Sequence, residues 1–161
     1  MTCAPDPGAD AAPDPRLATG APNRVIRVSA VVMRDGRGRV LNVRKRGTTS
    51  LMLPGGKHEA GEDPRSTAVR EFGEELGIAL ERDRLAPLGV FRAAAANEPG
   101  HTVEATVFEH PFLEAAAAAR ARAEIEHVEW VDPAIDRPDM APLNTGFVFP
   151  ALAARRAPTT A

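Results

Sequence analysis

Apolar positions along the chain fall into short β-prone runs separated by turn signals, with one helical stretch between them. Val25, Ile26, Val28, Val31 and Val32 mark a strand from Arg24 to Met33. Asp35-Gly36-Arg37-Gly38 is a turn, and Val40 to Val43 resumes the strand character, so the two predict a hairpin. Leu51-Met52-Leu53 reads as a short strand broken by Pro54-Gly55-Gly56. Leu85 to Ala95 and Thr102 to Phe108 flank the turn Asn97-Glu98-Pro99-Gly100 and predict a strand pair. The alanine-rich run from Leu113 to Ala123 predicts a short helix or an insertion, and Ile125 to Val131 another strand. Leu143 to Arg156 has helical spacing, with Pro150 as the point where that helix kinks or begins.

The helical stretch runs from Pro64 to Leu76. Asp63 suits its N-cap, Pro64 the first position, and Gly77 a left-handed C-terminus. Ala68, Val69, Phe72 and Leu76 form an apolar stripe that anchors the helix to a core. Glu71, Glu74 and Glu75 stand at i, i+3 and i+4, expected on one separate face aimed away from the packing. Carboxylates ~5.5 Å apart repel by about 3 kcal/mol at an effective dielectric near 20. Arg70, beside Glu74 on the helical wheel, relieves one of them and not all three. A solvated surface needs nothing more, whereas a cleft needs a further cation, and hard Mg²⁺ favours such oxygen ligands.

The loop before the helix decides between these readings. Gly56, five residues, Glu62, seven residues, and then Arg70-Glu71-Phe72-Gly73-Glu74-Glu75-Leu76-Gly77-Ile78 resembles the signature box of the Nudix hydrolases. Phe72 stands where the family more often has an aliphatic residue. The resemblance covers residues 56 to 78, and the flanking elements from about 24 to 156 are compatible with it. It implies an α/β fold: a single-domain α/β/α sandwich with a mixed β-sheet. It also implies hydrolysis of a nucleoside diphosphate linked to another moiety, by water attacking phosphorus with Mg²⁺ or Mn²⁺ as cofactor.

The resemblance makes Glu71, Glu74 and Glu75 metal ligands, with the Gly56 carbonyl as a further one. Three carboxylates exceed what one Mg²⁺ usually takes from protein, so more than one metal in the substrate complex is expected. Arg70 matches the arginine that holds the glutamates, and Glu62 is read as structural support. The general base is Glu71 or a carboxylate before the last strand, where Glu124 is favoured over Glu126. Arg44 and Arg46, in a basic run at a strand end, are candidates for phosphate contact, against a solvated strand end. Trp130 is read as a core anchor, with base stacking the alternative.

Two other classes share the fold: a silent nucleotide sensor, and isopentenyl diphosphate isomerase. The complete glutamate set argues against the first. The isomerases use a catalytic cysteine, and the one cysteine here, Cys3, lies near the N-terminus.

Composition narrows the rest. At 161 residues with 43% hydrophobic and 26% charged content, the chain suits one domain with a buried core. A net charge of −2 provides no footprint for duplex nucleic acid. A small nucleotide-type molecule is the expected partner, and a homodimer is left open. With one cysteine there is no internal disulfide, and no apolar run suits a membrane. No signal-peptide pattern stands at the N-terminus, so a cytoplasmic location is the default expectation. Residues 1–22, rich in Ala, Pro, Asp and Gly, read as a disordered tail, or as a start site placed too early. The domain is expected over 23–156, with 157–161 frayed.

Overall fold

The structure, a computed structural model, describes residues 23–156. The expected tail (1–22) and frayed end (157–161) lie outside the described residues.

Among the described residues, six strands and three α-helices form a three-layer arrangement. In chain order these are β1 (Arg24–Met33), β2 (Val40–Lys45), β3 (Gly55–Lys57), α1 (Pro64–Leu76), β4 (Ala86–Ala94), β5 (His101–His110), α2 (Glu114–Ala117), β6 (Ile125–Val131) and α3 (Phe149–Arg156). One sheet has the order β3-β1-β5-β4, and β2 and β6 make a second, two-stranded sheet. β1 runs parallel to β5, while β3 on β1 and β4 on β5 are antiparallel, so the larger sheet is mixed.

The alternation along β1 explains the layers. Ala30 and Val32 enter one core, with Val107, Val148, Phe149 and Leu152. Val31 and Met33 enter the other, with Phe108, Ala68, Phe72 and Leu76. Successive strand side chains point to opposite faces, so an unbroken apolar run is what a strand covered on both sides requires. α1 covers one face and α3 the other, as the sandwich reading expected.

Several elements differ from the sequence expectations. β1 and β2 do not form a hairpin ladder: they lie in different sheets, and among the described residues the one backbone pairing between the two runs is the bridge Arg34–Val40, just past the end of β1. β1 instead spends its edges on β3 and β5. Leu51 and Met52 make isolated bridges rather than a strand, and the strand falls on Gly55–Lys57. Glycine is required there by close approach, because a Cβ on Gly55 would lie 2.1 Å from the Ser29 carbonyl oxygen. The run 113–123 is helical only over Glu114–Ala117, where Ala116 alone is buried. Without an apolar face to pack, alanine propensity does not carry a helix further.

At the C-terminal end the chain makes a π-helical turn over Asn144–Val148 and then α3, with Pro150 as its second residue. The Phe149 N–H reaches back five residues to the Asn144 carbonyl. The ladder thus widens by one residue just before the position that has no N–H to give.

Candidate active site

α1 is fixed at both ends by its own residues. The Asp63 carboxylate accepts from the N–H groups of Arg65 (3.0 Å) and Ser66 (3.2 Å), Pro64 is the first helical residue, and Gly77 ends the helix at φ 69°. Ala68, Phe72 and Leu76 turn into the core, and Val69 is half-buried at its margin.

The three glutamates do not share one exposed face. Glu74 and Glu75 are neighbours in sequence and so stand ~100° apart around the axis. Glu74 swings to solvent, 56% exposed, with Arg70 NH1 3.5 Å away. Glu75 swings under the edge of β3 and is 1% exposed. The Gly55 N–H donates to its Oε2 at 3.1 Å, and among the described residues its Oε1 has no hydrogen-bond partner. Burial pushes the Glu75 carboxyl up to about 8, with Lys45 and the Gly55 N–H opposing, and with Glu71 and Glu124 adding to the rise.

Glu71, Glu75 and Glu124 bring one carboxylate oxygen each to within 4.8 Å of one another. Glu74, expected beside them as a ligand, stays outside this group for the angular reason just given. Glu124 arrives from the loop before β6, and Lys45 Nζ sits between the carboxylates, 2.7 Å from Glu124 and 4.0 Å from Glu75 Oε1. Burial draws the Lys45 ammonium down, but Glu124, Glu75 and Glu71 outweigh it and hold it above its ordinary value. Glu126, the competing carboxylate, pairs with Arg44 at 2.9 Å instead.

Arg70 ties the loop to the helix. Its Nε and NH2 clasp both oxygens of Glu62 at 2.8 and 2.9 Å, NH1 reaches Glu71 at 2.8 Å, and NH2 donates to the Lys57 carbonyl. Arg70, the Glu59 N–H and the Thr67 hydroxyl together hold the Glu62 carboxyl far below the usual carboxylate range. Gly56 leaves room for the cluster, since a Cβ there would lie 2.3 Å from the Glu71 carboxyl carbon.

Gly56, Glu71 and Glu124 line a cleft of about 550 Å³, whereas Glu75, Arg70 and Glu62 are not on its wall. Arg46, Lys45 and Lys57 line it, but Arg44 does not, so only one of the two expected arginines faces the cleft. Trp130 packs against Phe112, ring centroids 6.0 Å apart, and also lies outside it. Lys45 was missed by sequence reasoning although alternation points to it. Leu41 and Val43 face the α1 core, and position 45 continues that face. Asn144 was missed too. It is fully buried on the cleft wall, its Nδ2 donates to Asn42 Oδ1 at 2.7 Å, and its own Oδ1 is unpartnered among the described residues.

The donor set fits a divalent cation. Three convergent carboxylates, one of them with a buried oxygen that has no partner among the described residues, are balanced here by the Lys45 ammonium and, at Glu71, by the Arg70 guanidinium that Glu62 already pairs. Hard oxygen ligands of this kind suit Mg²⁺ or Mn²⁺. Glu71, Glu75 and Glu124 would hold the ion.

The sequence profile of the NUDIX domain matches residues 23–146. A MutT-like protein of Streptomyces ambofaciens is 38% identical over 78 residues, which cover 48% of this chain and 49% of that protein. The match thus spans about half the length of that relative. The MutT protein from Methanosarcina mazei Go1 superposes with a TM-score of 0.66 at 19% identity, over 85% of this chain and 99% of that one. The MutT NUDIX hydrolase from Burkholderia pseudomallei superposes at 0.64 with 24% identity, over 81% and 98%. At these identities the two structures testify to a shared fold.

Proposed function

Because the chain belongs to the NUDIX domain family, we propose that it is a divalent-metal-dependent hydrolase that cleaves the diphosphate linkage of a nucleoside diphosphate joined to another moiety. The observation that carries this reading is the convergence of Glu71, Glu75 and Glu124, of which Glu71 and Glu124 line the cleft. Bound there, Mg²⁺ would neutralise phosphate charge and lower the pKa of the attacking water. Arg70 fixes the Glu71 carboxylate, and Glu62 fixes Arg70. Lys45, Arg46 and Lys57 present cations to the phosphate oxygens. Glu124, the most exposed of the three, can accept the proton of the attacking water only if it is not committed to the ion; recovery of Glu124→Gln at high Mg²⁺ assigns it to the ion, and a loss that persists there assigns it to the base.

The test is phosphate release and product mass across a panel of nucleoside triphosphates, ADP-ribose, dinucleoside polyphosphates and nucleotide sugars, with Mg²⁺ and with Mn²⁺. Glu124→Gln and Glu126→Gln are assayed beside the wild type. Loss of a general base costs about 10²–10⁴-fold. Glu124→Gln should fall in that range and Glu126→Gln should stay near wild type. Nucleotide binding without turnover across the whole panel would make the chain a silent sensor and end the hydrolase reading.

A further inference from the structure

The loop that ends at Glu124 is pinned to the helix that carries Glu71 and Glu75. The Arg122 N–H donates to the Glu75 carbonyl at 3.0 Å, satisfying one of the last carbonyls of α1, which have no partner within the helix. Those carbonyls carry partial negative charge, yet α1 has no basic residue in its last turn. The Arg122 guanidinium supplies that charge from outside. It lies against the bare Cα of Gly77, where an added Cβ would meet its Cζ at 2.6 Å and its Nε at 2.7 Å.

From this anchor the chain turns sharply. Ala123 takes φ 51°, a left-handed conformation that a residue with a Cβ seldom adopts. Glu124 follows at once, and its carbonyl accepts from the Arg46 N–H at 2.7 Å on the other side. Glu124 is thus suspended between α1 and the end of β2, and the strained residue sits in the span.

We propose that Arg122 is a positioning residue for the cation site: seated on Gly77 at the end of α1, it holds the turn at Ala123 and keeps Glu124 in reach of Glu71 and Glu75. The inference rests on the cation binding of the functional reading and not on turnover.

The experiment titrates metal-free protein with Mn²⁺ and follows the free ion by electron paramagnetic resonance. It compares wild type, Arg122→Ala, Glu124→Gln and the double variant, with urea midpoints measured alongside. Removing a cation near an acidic site would by itself tighten Mn²⁺ binding. Loss of positioning does the opposite, and outer groups that orient ligands are typically worth about 10–100-fold in affinity. Arg122→Ala should therefore weaken Mn²⁺ binding about tenfold with a urea midpoint close to wild type. In the Glu124→Gln background it should cost nothing further, because Arg122 acts through Glu124. Unchanged or tighter binding in Arg122→Ala, an equal loss in both backgrounds, or a wild type that binds no Mn²⁺ would each overturn the inference. A chain that shows the expected pattern but hydrolyses no nucleotide would refute the hydrolase reading and leave the positioning role standing.

Discussion

Replacing Glu75 by Gln should change how the stability of the metal-free protein depends on pH. The Glu75 carboxyl, ordinarily near 4.5, is pushed up to about 8 by burial. Between those values the folded chain keeps a proton that the unfolded chain has lost, so stability falls as pH rises. The full span is worth about 5 kcal/mol at about 1.4 kcal/mol per pH unit, and the part between pH 6 and pH 8 about 2 kcal/mol. Gln keeps the shape, and its side-chain oxygen can still accept from the Gly55 N–H. It has no proton to lose. Urea denaturation in chelator at pH 6, 7 and 8 should therefore show a wild-type profile that falls about 2 kcal/mol relative to Glu75→Gln. Saturating Mg²⁺ or Mn²⁺ should restore the wild type at pH 8 and do much less for the variant, since a ligand stabilises only the state that binds it. Parallel profiles for the two proteins in chelator would refute the argument, because a Glu75 open to water would titrate alike folded and unfolded.

Arg70→Lys keeps the charge but loses the planar fork that clasps Glu62 and reaches Glu71, so turnover should fall about 10–100-fold in a steady-state assay at saturating Mg²⁺. Phe72 is fully buried on the core side of α1, so Phe72→Ala should cost about 3–5 kcal/mol in urea denaturation and Phe72→Leu distinctly less, because Leu refills most of the space that Ala would leave empty.

Local signals made the helix legible and long-range ones did not. Asp63, Pro64 and Gly77 carry their conformational preferences within themselves, so both ends of α1 follow from three residues. The pairing of β1 with β5 is legible in no local pattern, because it joins residues such as Arg27 and Glu104 across most of the domain. The β1–β2 hairpin failed for the same reason: a turn between two β-prone runs reports that they are near, and not which sheet each joins. In the site, helical spacing put Glu71 and Glu75 one turn apart, but whether Glu75 is dry depends on β3 lying over it. The apolar stripe did give the core direction, and on the helical wheel it sets Glu75 beside Ala68 and Glu74 on the far side, so the difference between the two glutamates was available in the spacing and was passed over. Lys45 and Asn144 come from segments whose approach to α1 is a matter of tertiary packing alone.

The parallel contact between β1 and β5, and the delivery of Glu124 beyond it, bear on how the chain is made. A nascent chain leaving the ribosome through residue 100 has its box helix and every glutamate on it, but no β5 against which to seat β1. Glu124 and the strand that follows it emerge later still. Contacts so distant in sequence close slowly, and domains tend to complete folding as units. The carboxylate cluster therefore comes together only after nearly the whole domain has been synthesised, so a truncated product ending before β6 would hold the helical part of the site without its third carboxylate.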